Sequence, residues 1–157
     1  MDAVELIAQD HDNIRNLFQR FNDVGPEAYD AKQRAADEIV RELTAHAEVK
    51  QEIFYPEIRK VAPEIGSEFD DDLEGNLLAE GLVTEVGAVA SDDERFANVK
   101  VLEELITRHL EHEEEELLPR VREVMSDETL EQLGERMLAM KKSKRAGAKP
   151  GKRPGTT

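Results

Sequence analysis

Apolar residues recur three and four positions apart along most of the chain, which predicts amphipathic helices. No window shows the sustained two-residue alternation of a half-buried strand. Glycine and proline interrupt the pattern and divide it into five predicted helices, at about 2–23, 28–61, 67–88, 92–118 and 126–142. The second helix contains Pro56, where we expect a kink or a break because proline lacks a backbone donor and clashes with the preceding turn.

Four long amphipathic helices with short connections are typical of an antiparallel up-down four-helix bundle. We therefore predict an all-α fold in which residues 1–125 form the bundle and residues 126–142 a short accessory fifth helix. Residues 143–157 contain almost nothing apolar, so we expect them to form a basic, disordered tail. We find no convincing internal repeat.

Charge is distributed unevenly along the chain. The formal net charge is −15, yet residues 141–157 hold 7 of the 21 Lys and Arg and none of the 36 Asp and Glu. An acidic body repels nucleic acid and membrane surfaces, so only the basic tail could attract nucleic acid, and then weakly. A solubilising role for the tail is the favoured alternative. The chain has no cysteine, no signal peptide pattern and no membrane-spanning run, so we expect a cytoplasmic protein without thiolate metal sites.

Polar residues interrupt the apolar stripe of each long helix about midway along it. A single buried histidine is more often a hydrogen-bonded core residue than a ligand, but three on three helices are harder to explain in that way. A bound cation would offset the cost of burying them, and iron, manganese or zinc suits histidine and carboxylate ligands. The interrupting residues are His11, His46, Lys50, Asn76, Glu80, His109 and Glu113.

Three segments carry this pattern: QDHDNIRNLF at 9–18, HAEVKQEIFYP at 46–56 and RHLEHEEEELLP at 108–119. In this order and spacing they resemble the motifs of the hemerythrin-like, or HHE cation-binding, domain, and the similarity covers most of residues 1–125. The resemblance implies a four-helix bundle around a non-haem di-iron centre. Members of the family bind dioxygen or nitric oxide, sense oxygen or iron, or handle peroxide.

The resemblance also implies a ligand set, with two departures from the family pattern. Lys50 stands where the family has a glutamate that bridges the irons, and Asn76 stands at another ligand position. The spacing of an ideal helix would favour Glu113 over Glu114 as the partner of His109, and this choice stays open. The metal ligands implied for this chain are His11, His46, Glu80, His109 and Glu114.

Lys50 leaves two interpretations open. In the first, a reduced site survives with one or two iron ions and binds dioxygen, nitric oxide or peroxide, while Lys50 reaches solvent or is a neutral amine. In the second, the Lys50 ammonium pairs with Glu80 or Glu114 and replaces the metal charge, which gives a metal-free interaction module. Catalysis such as peroxide disproportionation is a weaker third interpretation, because only Tyr55 suggests a proton-transfer group.

Overall fold

The computed structural model describes residues 1–25, 27–70, 75, 81–83 and 92–147. Helices account for nearly all of these residues, and none of them lies in a strand, which confirms the predicted all-α class. Two wide π-turns, Lys50–Phe54 and Glu113–Leu117, each join two helices, and a 3-10 segment covers Pro63–Phe69. The α-helices are α1 (Ala3–Asp23), α2 (Tyr29–Val49), α3 (Tyr55–Val61), α4 (Asp92–His112), α5 (Leu118–Val124) and α6 (Asp127–Gly147).

Two apolar clusters form the core, one on each side of a polar layer. The first cluster includes Ile7, Ile53, Phe69, Leu117 and Met137. The second includes Ile14, Phe18, Leu43, Val99 and Ile106. Between the two clusters, α1, α2 and the two π-turns contribute buried polar residues that the sequence placed on the apolar stripes: His11, His46, Lys50 and Glu113.

The order of the clusters along each helix gives its direction. From its N-terminus, α1 passes from the first cluster to the second, whereas α2 passes from the second to the first, as does α4 together with the π-turn that follows it. Thus α1 is opposed to both of its neighbours, as an up-down arrangement requires. Most of the predicted third helix, 67–88, lies outside the described residues, so the complete four-helix bundle stays a prediction.

The helix that contains Pro56 does not end there. A π-turn precedes the proline, and the Tyr55 N–H donates to the Lys50 carbonyl five residues back. The wider turn provides room for the proline ring, which would otherwise clash with a carbonyl of a regular helix. A π-turn also precedes Pro119, and there the Leu118 N–H donates to the Glu113 carbonyl.

Helix α6 packs closely against the start of α1. It begins where the sequence predicted, with the Thr129 N–H donating to Ser126 Oγ at 3.2 Å. A Cβ on Gly134 would lie 2.4 Å from the Met1 carbonyl oxygen, so this contact requires glycine. Helix α6 continues to Gly147 through 143–147, which the prediction assigned to the tail, and the disorder prediction for 148–157 lies outside the described residues. None of the described helices is long and apolar enough to cross a bilayer.

Candidate metal centre

Three side chains from separate helical segments converge in the polar layer. His11 comes from α1, His46 from α2, and Glu113 from the first position of the second π-turn. All three are buried, and each offers one ligand atom within 4.8 Å of the other two. The rings of His11 and His46 meet edge to face with centroids 5.4 Å apart. The predicted convergence of helix-one and helix-two histidines is therefore present in the structure.

The atoms that face one another at this point lack hydrogen bonds within the described part of the chain. They are Nε2 of His11, Nε2 of His46 and Oε1 of Glu113, all of them buried. His11 Nε2 lies 3.5 Å from Glu113 Oε1, which is too far for a normal hydrogen bond. Buried polar atoms without partners are costly, and a cation coordinated by all three side chains would satisfy them. The donor set therefore fits a metal ion.

A buried carboxylate behind His46 sets the orientation of its ring. His46 Nδ1 donates to Asp10 Oδ2 at 3.0 Å, so the lone pair of Nε2 points toward His11 and Glu113. Burial lowers the pKa of His46, although Asp10 opposes the change. The ring is accordingly neutral near pH 7, which is the form that binds metal. Burial alone would raise the pKa of Asp10, but His46 and Lys141 hold it below its ordinary value.

Glu114 lies outside the centre. Its side chain is 29% exposed, and its Oε2 accepts a hydrogen bond from Arg15 Nη2 at 2.7 Å, which lowers the pKa of the carboxyl. Its Oε1 lies 3.6 Å from His11 Nδ1, on the outer side of that ring. Among the two neighbours that the sequence left open, Glu113 is thus the one that faces the convergence point. Glu114 makes no hydrogen bond to His11, and its role as a ligand stays a prediction.

Lys50 is buried in the same layer, with 0% of its surface exposed. Its ammonium donates to Glu113 Oε2 and lies 5.5 Å from the centroid of the Tyr55 ring. Burial would raise the pKa of Glu113, but Lys50, His109 and His11 hold it well below its ordinary value. The expectation that Lys50 reaches solvent was wrong, because the helix continues past Pro56. The predicted ion pair exists, but Glu113 is its acid in place of Glu114, and Glu80 lies outside the described residues.

His109 completes the described part of the centre. Its Nε2 lies 2.7 Å from Glu113 Oε2, one α-helical turn further along the same helix. A Cβ on Gly75 would lie 2.7 Å from His109 Nδ1, so the backbone at Gly75 approaches this ring closely. The remaining predicted positions on that helix, Asn76 and Glu80, lie outside the described residues. His112 faces outward and pairs with Glu116 at 3.3 Å.

Sequence reasoning missed a second set of buried charges. Lys141 of α6 donates to Asp10 and, at 2.5 Å, to Glu42 Oε1. A signal for Lys141 was present, because it follows Met137 by four residues on the apolar stripe of the fifth helix. A signal for Asp10 was its position four residues after Leu6, which is buried on the same helix.

A local repeat was also missed. HAEVKQEIFYP and HLEHEEEELLP share a histidine, a charged residue four positions later and a proline ten positions later. Both copies fold as an α-helix, a π-turn and a further helical segment, and the two charged residues, Lys50 and Glu113, pair with each other.

The chain is similar to known proteins in both sequence and fold. The profile of the hemerythrin HHE cation-binding domain matches residues 2–121. A crystal structure of a hemerythrin HHE cation-binding domain-containing protein from Mycobacterium kansasii superposes with a TM-score of 0.77, at 19% identity over 94% of this chain and 89% of that one. A protein described as a DNA nickase, from Nostoc sp. strain PCC 7120, is 29% identical over 138 residues, or 84% of this chain. The chain spans only 37% of that relative's length. Because the family profile covers most of the residues that build the polar layer, the chain belongs to the hemerythrin HHE cation-binding domain family.

Proposed function

We propose that this chain binds iron through His11, His46 and Glu113, with His109 beside them. The observation that carries the proposal is the set of buried ligand atoms that face one another without hydrogen-bond partners in the described residues. Two histidines and one carboxylate with open positions are the donor set of many non-haem iron sites. The iron, when bound, would supply a centre for small ligands, and we infer that dioxygen, nitric oxide or peroxide binds at an open position.

The protein residues around such an ion have separate tasks. Asp10 holds the His46 ring with Nε2 inward, and Glu114 lies behind His11. Lys50 and His109 contact Oε2 of Glu113, which leaves Oε1 for the ion. The two apolar clusters shield the layer on both sides, and we infer that residues 67–88 close it as the remaining helix of a four-helix bundle.

Iron titration of the metal-free protein tests this proposal. We expect the wild type to retain about one equivalent of iron or more after gel filtration, and His46→Gln to bind more than about tenfold more weakly, since even indirect supporting groups contribute that much. His112→Gln is the matched control, because His112 is on the outer face of the helix that carries His109. Retention of no transition metal by the wild type, or equal loss in both variants, would contradict the proposal. A change in the absorption spectrum on addition of nitric oxide would test the small-ligand step.

A metal-free interaction module is the second candidate, and the buried ion pair between Lys50 and Glu113 favours it. A cation is already present beside Glu113, so the carboxylate is compensated without a metal. This candidate predicts that iron, manganese and zinc leave the melting temperature of the wild type unchanged. A rise in melting temperature with any of them would favour the metal centre instead.

Association with DNA is a separate proposal, motivated by the name of the Nostoc relative and by the basic tail. In the described residues, Lys141 and Lys144 already pair with acids of the chain, which leaves fewer free cations than the sequence suggests. We therefore place any DNA contact in residues 148–157. Fluorescence anisotropy with labelled duplex at low salt should show binding that is lost when 148–157 is deleted. Binding that persists after this deletion would exclude residues 148–157 as the contact.

A further inference from the structure

Helix α6 lies beyond the part of the chain that the family profile matches, yet one of its side chains enters the polar layer. Lys141 is 2% exposed although it lies only six residues from the end of the helix. Its Nζ donates to Asp10 Oδ1 on α1 and to Glu42 Oε1 on α2. Burying an ammonium costs several kcal/mol unless its partners are well placed. A buried lysine at position 141 therefore needs an explanation beyond packing.

Simple attachment of α6 to the rest of the fold does not require this lysine. Leu130, Leu133 and Met137 of α6 are already buried in the first apolar cluster. A leucine or methionine at position 141 would extend the same contact without desolvating a charge. What the ammonium adds is the orientation of the Asp10 carboxylate.

The two oxygens of Asp10 divide between two partners. Oδ1 accepts from Lys141, and Oδ2 accepts from His46 Nδ1 at 3.0 Å. With Oδ1 held, the carboxylate cannot rotate away from the ring without breaking a buried charge-assisted hydrogen bond. The imidazole is thereby kept with its proton on Nδ1 and with Nε2 free to coordinate.

The arrangement behind His11 provides an internal comparison. There the carboxylate of Glu114 lies 3.6 Å from the ring and is backed by Arg15, and both side chains are partly exposed. The same order of histidine, carboxylate and cation therefore occurs twice, once loosely at the rim and once tightly through α6. We propose that Lys141 is a positioning residue of the metal centre, which acts through Asp10 to fix the tautomer and orientation of His46. This inference rests on the proposed metal site for its purpose, but its structural step can be tested without metal.

The test compares Lys141→Met with Lys144→Met, using the full chain. Lys144 is on the same helix and pairs with Glu48 at 2.7 Å, but it lies nearer the surface, so it controls for the loss of a cation from α6. The first measurement is the His46 tautomer in metal-free, nitrogen-15-labelled protein by long-range proton–nitrogen correlation. We expect an Nδ1–H ring in the wild type and in Lys144→Met, and a mixture of tautomers in Lys141→Met. The second measurement is iron affinity, which should fall about 10–100-fold in Lys141→Met only, as for other groups that support a ligand.

The outcomes separate the two proposals. A tautomer change in Lys141→Met together with a wild type that binds no iron would support the positioning step and overturn the metal site. An unchanged tautomer in Lys141→Met would overturn the positioning step even if iron binds. If Lys141→Met does not fold by circular dichroism, Asp10→Asn replaces it, because an amide keeps the shape of the carboxyl but loses its charge. An Asp10→Asn protein with the wild-type tautomer and affinity would equally reject the inference.

Discussion

Replacement of Lys50 by methionine removes the cation from the polar layer while keeping an unbranched side chain of similar length. Lys50 and Glu113 are both fully buried, and the ammonium donates directly to Glu113 Oε2. Removing one member of a buried ion pair typically costs about 3–5 kcal/mol, because the other charge is left uncompensated. At roughly 2–4 °C per kcal/mol for a chain of this size, the metal-free variant should melt about 6–20 °C below the wild type.

The pH dependence of this loss has a definite sign. Lys50 is the strongest of the influences that hold the pKa of Glu113 below its ordinary value, so its removal raises that pKa relative to the wild type. A carboxyl whose pKa is depressed in the fold stabilises the fold above its unfolded pKa and loses that contribution as pH falls, so the variant lacks a stabilisation that the wild type has only at higher pH. The difference between variant and wild type should therefore be small at pH 4 and should grow toward neutral pH.

Iron should stabilise the Lys50→Met variant more than it stabilises the wild type. A divalent cation held by His11, His46 and Glu113 would restore the missing positive charge, so the melting temperature of Lys50→Met should rise more with iron than that of the wild type. Lys50→Glu should show the same trend more strongly, since it adds a ligand and a second buried acid. Differential scanning calorimetry in chelator and in excess iron gives both quantities.

The control for this experiment is Lys100→Met. Lys100 is exposed and pairs with Glu103 at 3.2 Å on the surface of α4, so its loss should cost less than about 1 kcal/mol and should not change the response to iron. A metal-free Lys50→Met protein as stable as the wild type would refute the buried-pair reasoning. Equal melting shifts with iron in wild type and variant would refute the exchange of ammonium for metal.

Two further substitutions test the contact between Gly75 and His109 and the N-terminal cap of α1. Gly75→Ala should displace the His109 ring, because the new Cβ would lie 2.7 Å from Nδ1. Isothermal titration should then show weaker iron binding. Gly81→Ala is the control and should bind iron as the wild type does, because its Cβ would meet nothing within 4 Å. Asp2→Ala should lower the free energy of unfolding by about 1 kcal/mol at pH 7, since Asp2 caps α1 by accepting from the Glu5 N–H at 2.9 Å. Burial raises the pKa of Asp2, but the Glu5 N–H and Arg122 bring it below 3.8. The stabilisation by the Asp2 cap should therefore disappear as pH falls below 3.8. Urea denaturation at a series of pH values measures this loss.

The fold class and the convergence of the histidines could be predicted from the sequence because both follow from helical periodicity. His11 and His46 lie on the apolar stripes of their helices, so they are buried however the helices pack against one another. The acid opposite them could not be chosen in the same way. The family spacing implies Glu114, whereas the π-turn starts at Glu113, so the phase from His109 to Glu113 remains that of an α-helix and Glu113 faces inward.

The charges that surround the centre depend on tertiary packing, which periodicity does not encode. The sequence left open whether Lys50 reaches solvent or pairs with a buried acid, and the π-turn keeps the helix continuous and the side chain inside. Lys141 was assigned to an accessory helix, and only the docking of α6 against α1 brings it to Asp10. Each of these contacts joins residues far apart in the chain, and no local pattern specifies the partner.

Anomalous diffraction at the iron edge, from crystals of the wild type loaded with ferrous iron, would locate the metal itself. We expect a peak in the polar layer, about 2.0–2.2 Å from His46 Nε2 and Glu113 Oε1, as for nitrogen and oxygen ligands of similar metals, with His11 as a third ligand. A layer without a peak, with iron only on surface carboxylates, would contradict this expectation.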